Sequence, residues 1–120
     1  MTKSRVRVGR VYDESTDQDA VRVLVDRLWP RGMTKARAAL DEWCKDVAPS
    51  NELRKWYGHD PRRFPQFRRR YLAELATAEQ AGALAHLRDL AGDRPLILLT
   101  ASKDVAISEA AVLAELLSDD

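Results

Sequence analysis

The feature that most constrains the fold is a short apolar run that stops abruptly at charged residues. Val21, Val23 and Val25 alternate with other residues in a stretch of strong β-propensity, which predicts a strand over residues 21–26. Leu24 is apolar on the opposite face, so we expect this strand to be covered on both sides. The residues that follow read Asp26-Arg27-Leu28-Trp29-Pro30-Arg31-Gly32. Because open α/β sheets build binding sites beyond their strand ends, this segment predicts where the protein works.

Further strands are predicted on either side of this segment. Residues 95–100 read Pro-Leu-Ile-Leu-Leu-Thr, a continuous apolar run that is typical of a central parallel strand buried on both faces. Residues 5–12 alternate valines with arginines, which predicts a strand near an edge of the sheet. Residues 13–20 are polar and acidic and predict a loop, whereas residues 41–48 fit either a short strand or a helix.

Apolar spacing and capping residues predict the helices. Thr34 and Ser50 are the residue types that accept hydrogen bonds at helix N-termini, and Gly58 and Gly92 are typical of helix ends. Residues 59–61, His-Asp-Pro, predict a turn or a helix start. The predicted helices cover residues 35–40, 51–57, 64–78, 83–90 and 105–117.

These elements predict a compact single α/β domain over residues 1–120, with a small, mostly parallel sheet flanked by helices. A chain of 120 residues with 45% apolar and 32% charged residues has the size and balance of one globular domain. No apolar run approaches the ~20 residues that cross a membrane, and residues 1–5 carry no apolar signal region. We therefore expect a cytoplasmic protein with no membrane partner, whereas the oligomeric state is not predicted.

The residues after the strands form the main candidate binding site. Arg27 and Arg31 have the side-chain geometry that binds carboxylate or phosphate groups, and Asp26 can orient them or accept a proton. Trp29 supplies an apolar wall, and Lys103 follows the last strand, where a parallel sheet would bring it to the same edge. A structural alternative stays open, in which an Asp–Arg pair pins the loop and Trp29 belongs to the core.

His59 and Asp60 form a secondary candidate site, in which the carboxylate would orient the imidazole as a general base. Residues adjacent in sequence rarely point at one another, and an Asp before Pro61 is an ordinary helix start. A structural turn is therefore favoured over a catalytic pair.

An arginine face on the third helix is the alternative site, with nucleic acid or an acidic protein as its partner. Residues 1–72 carry a net charge of +7 and residues 73–120 a net charge of −6, which fits an anionic partner for the first part. A pI of about 7.9 is low for a nucleic-acid-binding domain, and such faces are usually just solvated. The face consists of Arg62, Arg63, Arg69 and Arg70.

Signals for a metal, a cofactor or a nucleophile are weak. The single cysteine, Cys44, excludes an internal disulfide, and it shows no ligand spacing with His59 or His86. The sequence contains no GxGxxG, phosphate-loop or GxSxG motif. No cofactor and no metal are predicted, and the residues do not decide whether the protein is an enzyme.

Long motifs spread over nearly the whole chain resemble the YeaO-like family of small bacterial proteins, which is defined as a domain of unknown function, number 488. The resemblance implies a compact α/β domain with a parallel sheet, and it implies no activity, cofactor or partner. The motifs that carry it are residues 23–32 (VLVDRLWPRG), Trp43 with residues 45–50 (KDVAPS), residues 53–61 (LRKWYGHDP), residues 67–71 (FRRRY) and Glu74-Leu75.

The chain departs from this family pattern near the start of the last helix. The resemblance implies a His and an Asn at about Ile107 and Ser108, and often a Tyr where this chain has Thr100. If the family uses that His or Asn in catalysis, the resemblance implies that this chain lacks the activity or has a modified pocket.

Three functions follow in order of preference. The first is a small-molecule site for an anionic ligand at the strand ends, and the second is a nucleic-acid-binding or regulatory module that uses the arginine face. The third is a protein-interaction module without a pocket.

Overall fold

A four-stranded parallel sheet is the centre of the structure, a computed structural model that describes residues 6–13 and 19–118. The strand order is β1-β4-β2-β3, so β4 pairs with β1 on one side and with β2 on the other. Each pair is parallel, which confirms the predicted α/β fold and the central place of the last strand. The strands are β1 (Val6–Arg10), β2 (Val21–Leu24), β3 (Glu42–Trp43) and β4 (Leu96–Thr100).

Helices begin at the predicted capping residues. The Thr34 hydroxyl accepts a hydrogen bond from the Arg37 backbone N–H, and the Ser50 hydroxyl accepts one from that of Leu53. Gly58 ends the second helix with φ of 54°, a conformation that costs least without a Cβ atom. The helices are α1 (Lys35–Ala38), α2 (Asn51–Tyr57), α3 (Phe64–Leu75), α4 (Ala78–Asp93) and α5 (Glu109–Ser118), with 3₁₀ turns at Lys45–Val47, Pro61–Arg63 and Val105–Ile107.

The sheet is covered on both faces, as the sequence predicts. Successive side chains of a strand point to opposite faces, and β4 divides its residues accordingly. Leu96 and Leu98 belong to the large core cluster that also contains residues of α2, α3, α4 and α5. Ile97 and Leu99 belong to the smaller cluster that contains Ala38 of α1. Because every residue of β4 is buried, this strand joins the two halves of the core.

Several predicted boundaries are wrong, since packing outweighs local signals. The predicted helix over 83–90 is α4, which runs through Gly92; burial of Leu87 outweighs the ~1 kcal/mol that a helical glycine costs. The predicted helix over 64–78 ends at Leu75, because Thr77 is extended and begins α4. At the other end of α3, Arg62 and Arg63 lie in the 3₁₀ turn that precedes the helix, not on the helix itself.

Other predictions were partly right. The strand predicted over 21–26 ends at Leu24, so Asp26 lies in the loop that follows. The helix predicted over 105–117 is a 3₁₀ turn followed by α5, because Ser108 between them is extended. Residues 41–48 form both the short β3 and a 3₁₀ turn. The loop predicted over 13–20 falls mainly on residues 14–18, and these, like residues 1–5, lie outside the described residues.

Within the described residues, the helices are all too short or too polar to cross a membrane.

The central strand should dominate the stability of the fold. We expect Leu98→Ala to lower the free energy of unfolding by about 2–5 kcal/mol, because Leu98 is fully buried and the substitution leaves a cavity. Leu28→Ala is the matched control: Leu28 is 58% exposed, so its truncation should cost less than about 0.5 kcal/mol. Urea unfolding monitored by tryptophan fluorescence measures both values. Equal losses in the two variants would show that β4 is not the centre of the core.

Candidate functional site

The loop that follows β2 is fixed by hydrogen bonds to its backbone. The Trp43 indole N–H donates to the Asp26 carbonyl at 2.7 Å, and the Trp29 indole N–H donates to the Met33 carbonyl at 2.7 Å. The Tyr12 hydroxyl donates to the Arg31 carbonyl at 2.9 Å. Gly32 turns the chain with φ of 75°, which favours glycine. The backbone of this loop is therefore held in place before any ligand arrives.

Asp26 connects the ends of the two central strands. Its Oδ1 accepts a hydrogen bond from the Thr100 hydroxyl at 2.8 Å, and its Oδ2 accepts one from the Ala101 backbone N–H at 2.8 Å. Because β2 and β4 are parallel neighbours, their carboxyl ends meet at one edge of the sheet. The structure therefore brings Asp26 together with Thr100 and Ala101 at this edge of the sheet.

Glu109 is the second carboxyl group at this edge. It is the first residue of α5, is 8% exposed, and shares a hydrogen bond with Asp26. Burial raises the pKa of Glu109 well above its usual range, and the hydrogen bond and negative charge of Asp26 raise that pKa further. Burial and Asp26 therefore both favour the protonated form of Glu109, which donates a hydrogen bond to the Asp26 carboxylate.

Asp26 and Glu109 line a cavity of about 280 Å³ at the carboxyl ends of the strands. The cavity opens beside the fixed loop, and its walls come from that loop, from α2 and from the residues that follow β4 and precede α5. Its lining residues are Tyr12, Asp26, Arg27, Leu28, Trp29, Pro30, Arg31, Pro49, Arg54, Tyr57, His59, Phe67, Ala101, Ser102 and Glu109.

Three arginines line this cavity, and the first holds a neighbouring segment. The Arg27 Nε donates to the Pro49 carbonyl at 3.0 Å, and its Nη2 donates to the Ala48 carbonyl at 3.1 Å. These bonds fasten the loop to the start of α2. They bring no negative charge to the guanidinium, because both acceptors are neutral carbonyl oxygens.

Arg54 and Arg31 complete the arginine set. The Arg54 Nη2 donates to the Asn51 Oδ1 at 3.3 Å, whereas its buried Nε has no acceptor among the described residues. Arg31 is exposed at the rim, where only its backbone carbonyl is bonded to Tyr12. In the part of the chain that the structure describes, the ion pairs involve other residues, so no carboxylate neutralises these three arginines.

Tyr57 joins α2 to the turn before α5. Its hydroxyl donates to the Ile107 carbonyl at 2.7 Å, and its ring stacks on Phe67 with the ring centroids 4.1 Å apart. Burial, with the charges of Asp104, Glu109 and Asp60, raises the pKa of Tyr57 to about 12. Tyr57 therefore stays protonated at neutral pH and acts as a donor and an apolar wall.

The main site predicted from the sequence is largely brought together. Asp26, Arg27, Trp29 and Arg31 all line the cavity. Lys103 does not line it and is exposed to solvent. Its role as a ligand-binding residue stays a prediction.

The two residues of the secondary candidate site do different things: His59 lines the cavity, whereas Asp60 does not. His59 lines the cavity with φ of 57°, and its ring lies 5.8 Å from that of Tyr57. The Asp60 carboxylate accepts hydrogen bonds from the Arg62 backbone and guanidinium, at distances of 3.0 to 3.2 Å, and lies 3.9 Å from Arg63. Asp60 thus caps the following 3₁₀ turn and pairs with arginines, which is the structural turn that the sequence favours.

Three of the four arginines of the alternative face contact other side chains of the protein. Arg62 pairs with Asp60 at 3.2 Å, and Arg63 and Arg70 lie over the Trp56 ring at 5.2 and 4.3 Å from its centroid. Arg69 is exposed. Nucleic-acid binding by these residues stays a prediction.

Sequence reasoning missed Glu109 and Arg54. Glu109 follows Ser108 at the start of a helix, where an acidic residue interacts favourably with the helix dipole. Because such a residue is common at this position, the sequence does not show that Glu109 is buried. Arg54 offered a weak signal, since Arg54 and Tyr57 are three residues apart and share a face of α2. Neither position shows by itself that it faces the end of β2.

No metal site is apparent in residues 6–13 and 19–118, where groups of three or more His, Cys, Asp or Glu with ligand geometry are absent. Cys44 is buried, and burial together with the charge of Glu42 raises its pKa to about 11, so it is a poor nucleophile.

The fold and the cavity define a small parallel α/β protein with an acid pair and three arginines at its strand ends. The model of a family described as the inactive DUF488-N3 subclade matches residues 5–120, and the chain belongs to this family. No solved structure matches the chain.

Curated relatives agree with this assignment and are themselves uncharacterised. Uncharacterised proteins of Mycobacterium tuberculosis and Mycobacterium bovis are each 51% identical to this chain over 116 residues, which cover 97% of this chain and 96% of each relative. The uncharacterised protein YeaO of Escherichia coli is 46% identical over 110 residues, which cover 92% of this chain and 94% of YeaO. The resemblance to the YeaO-like family is thereby confirmed.

The protonated state of Glu109 predicts a dependence of stability on pH. A carboxyl whose pKa is raised in the folded state contributes stability that is complete below its unfolded pKa and is lost as pH rises through its folded pKa. Glu109→Gln keeps a donor to Asp26 but cannot ionise. We therefore expect the wild type to lose stability relative to Glu109→Gln between pH 5 and pH 9.

Chemical denaturation of both proteins across this pH range measures the difference. The range avoids the titration of Tyr57 and Cys44, whose pKa values are about 12 and about 11. A difference in unfolding free energy that does not change with pH would show that the pKa of Glu109 is not raised in the folded protein.

Proposed function

We propose that the protein binds a small anionic molecule in the strand-end cavity, in a binding role and not a catalytic one. The observation that carries the proposal is the charge of the cavity wall. Arg27, Arg31 and Arg54 line the cavity without a carboxylate partner in the described chain, whereas the acids that line it are Asp26 and Glu109, and burial favours the neutral form of Glu109. An anion inside the cavity would neutralise this excess of positive charge.

Arginine chemistry and cavity size narrow the ligand. A guanidinium group binds carboxylate or phosphate oxygens through two parallel hydrogen bonds, and the effect is strongest where water is excluded. A volume of about 280 Å³ lies just below the ~300–1,000 Å³ of ordinary ligand pockets. The ligand is therefore expected to have the size of a small organic acid or phosphate ester.

A binding role is supported by the residues before α5 and by the family. Ile107 and Ser108 stand where the resemblance led us to expect a His and an Asn, directly before Glu109 in the cavity wall. The family model that matches the chain is described as inactive. A pocket that keeps its charged walls without these side chains is suited to bind a molecule and leave it unchanged.

Thermal-shift screening at low ionic strength tests the proposal, with phosphate, phosphate esters and small carboxylic acids as probes. A ligand at about 100 times its Kd should add roughly 2.7 kcal/mol of stability. For the best probe, we expect Arg54→Gln and Arg31→Gln each to weaken binding by about tenfold or more, since hydrogen bonds to charged groups contribute about 1.5–3 kcal/mol.

Arg88→Gln is the matched control, because Arg88 is exposed on α4 and does not line the cavity. It removes the same charge and should leave the Kd within about twofold, as expected for a screened surface charge. Absence of any shift, or equal weakening by Arg88→Gln, would refute binding in this cavity.

A further inference from the structure

We infer that the anion bound in this cavity also carries a hydroxyl group, which donates a hydrogen bond to the Asp26–Glu109 carboxyl pair. The ligand class is thus a small hydroxy acid or a phosphorylated polyol. This inference rests on the proposed function and deepens it, since it adds a second recognition element in the same cavity.

The first step is the hydrogen-bonding capacity of the pair. An ionised carboxylate offers about four acceptor positions, and Asp26 uses three of them, for the Thr100 hydroxyl, the Ala101 N–H and the Glu109 proton. The carbonyl oxygen of the protonated Glu109 side chain can also accept a hydrogen bond. Both residues line the cavity, so the pair presents free acceptors and no free donor to a ligand.

The second step concerns which ligand groups can face these acceptors. An anionic group would be repelled by the negative charge of Asp26. A methylene group would cover the acceptors and leave them without a donor, which costs about 1–3 kcal/mol for each buried polar group. A group with a hydrogen-bond donor satisfies them.

The third step distinguishes a hydroxyl donor from an ammonium donor. The cavity wall carries the positive charges of Arg27, Arg31 and Arg54 beside an acid pair in which burial favours the neutral form of Glu109. A cationic group would enter this positive field at a Coulombic cost. A neutral hydroxyl meets the acceptors without that cost.

The fourth step is size. Because the cavity has a volume of only about 280 Å³, one small molecule that fills it touches both the arginines and the acid pair. The anionic group and the hydroxyl must therefore lie a few bonds apart in the same molecule.

Malate, succinate and aspartate provide the test, since they share one dicarboxylate skeleton and differ only in a hydroxyl, a hydrogen or an ammonium group at one carbon. Glycerol 3-phosphate and propyl phosphate form the equivalent pair for a phosphate head group. Isothermal titration calorimetry at constant ionic strength gives each Kd. We expect the hydroxylated member of at least one series to bind about tenfold or more tightly than its deoxy partner, and malate to bind more tightly than aspartate.

Two variants locate the preference at the acid pair. Glu109→Gln retains a carbonyl acceptor and should retain the preference for the hydroxyl. The double variant Asp26→Leu/Glu109→Met removes the acceptors of both side chains, so the preference should fall toward a ratio of one while the deoxy ligand still binds. Retained binding of the deoxy ligand would show that the pocket of this variant is folded. If the variant does not fold, the ratio of the Kd values of the deoxy and hydroxylated ligands for the wild type decides.

The outcomes separate the two proposals. Equal binding of the hydroxylated and deoxy members would overturn this inference and leave the anion site intact. Tighter binding of aspartate than of malate would overturn it in favour of an amino acid ligand. Absence of binding by all five molecules, and by every other anion of the thermal-shift screen, would overturn the proposed function together with the inference.

Discussion

The parallel pairing of β2 with β4 is the constraint on which the rest of the structure depends. It places the ends of both strands at one edge of the sheet, where the Asp26 carboxylate binds the Thr100 hydroxyl and the Ala101 backbone N–H at 2.8 Å each. The same pairing buries β4 on both faces and joins the two core clusters. Stability and the candidate site therefore have a common origin, since the strand that centres the core also carries one wall of the cavity.

The net charge of the chain does not show which charged side chains line the cavity. The chain as a whole carries a net charge of only +1, yet the cavity brings three arginines without carboxylate partners in the described chain together with two carboxyl groups, Asp26 and Glu109. Glu109 stays protonated because burial and the neighbouring Asp26 both oppose its ionisation. The result is a small pocket lined by both donors and acceptors, which suits the ligand with two kinds of polar group that we propose.

Local signals were reliable where the physical cause was itself local. Ser50 and Thr34 cap helices because their hydroxyl groups reach a backbone N–H three residues on, and β4 is buried because its residues are continuously apolar. Local signals failed where packing decided. Gly92 did not end α4, and Asp26 lies beyond β2 in a loop fixed by the indole of Trp43, which a strand pattern does not reveal.

By itself, the sequence determined the α/β class, the parallel sheet and the family, and it predicted the position of the candidate site after β2, because all of these follow from residue patterns that are contiguous along the chain. Only the tertiary structure decided which distant residues meet there. Glu109 lies more than eighty positions after Asp26, and Arg54 belongs to a separate helix, yet both line the same cavity. Their protonation and charge balance arise from burial and from neighbours that are close in space and remote in sequence, and no local pattern encodes such distances.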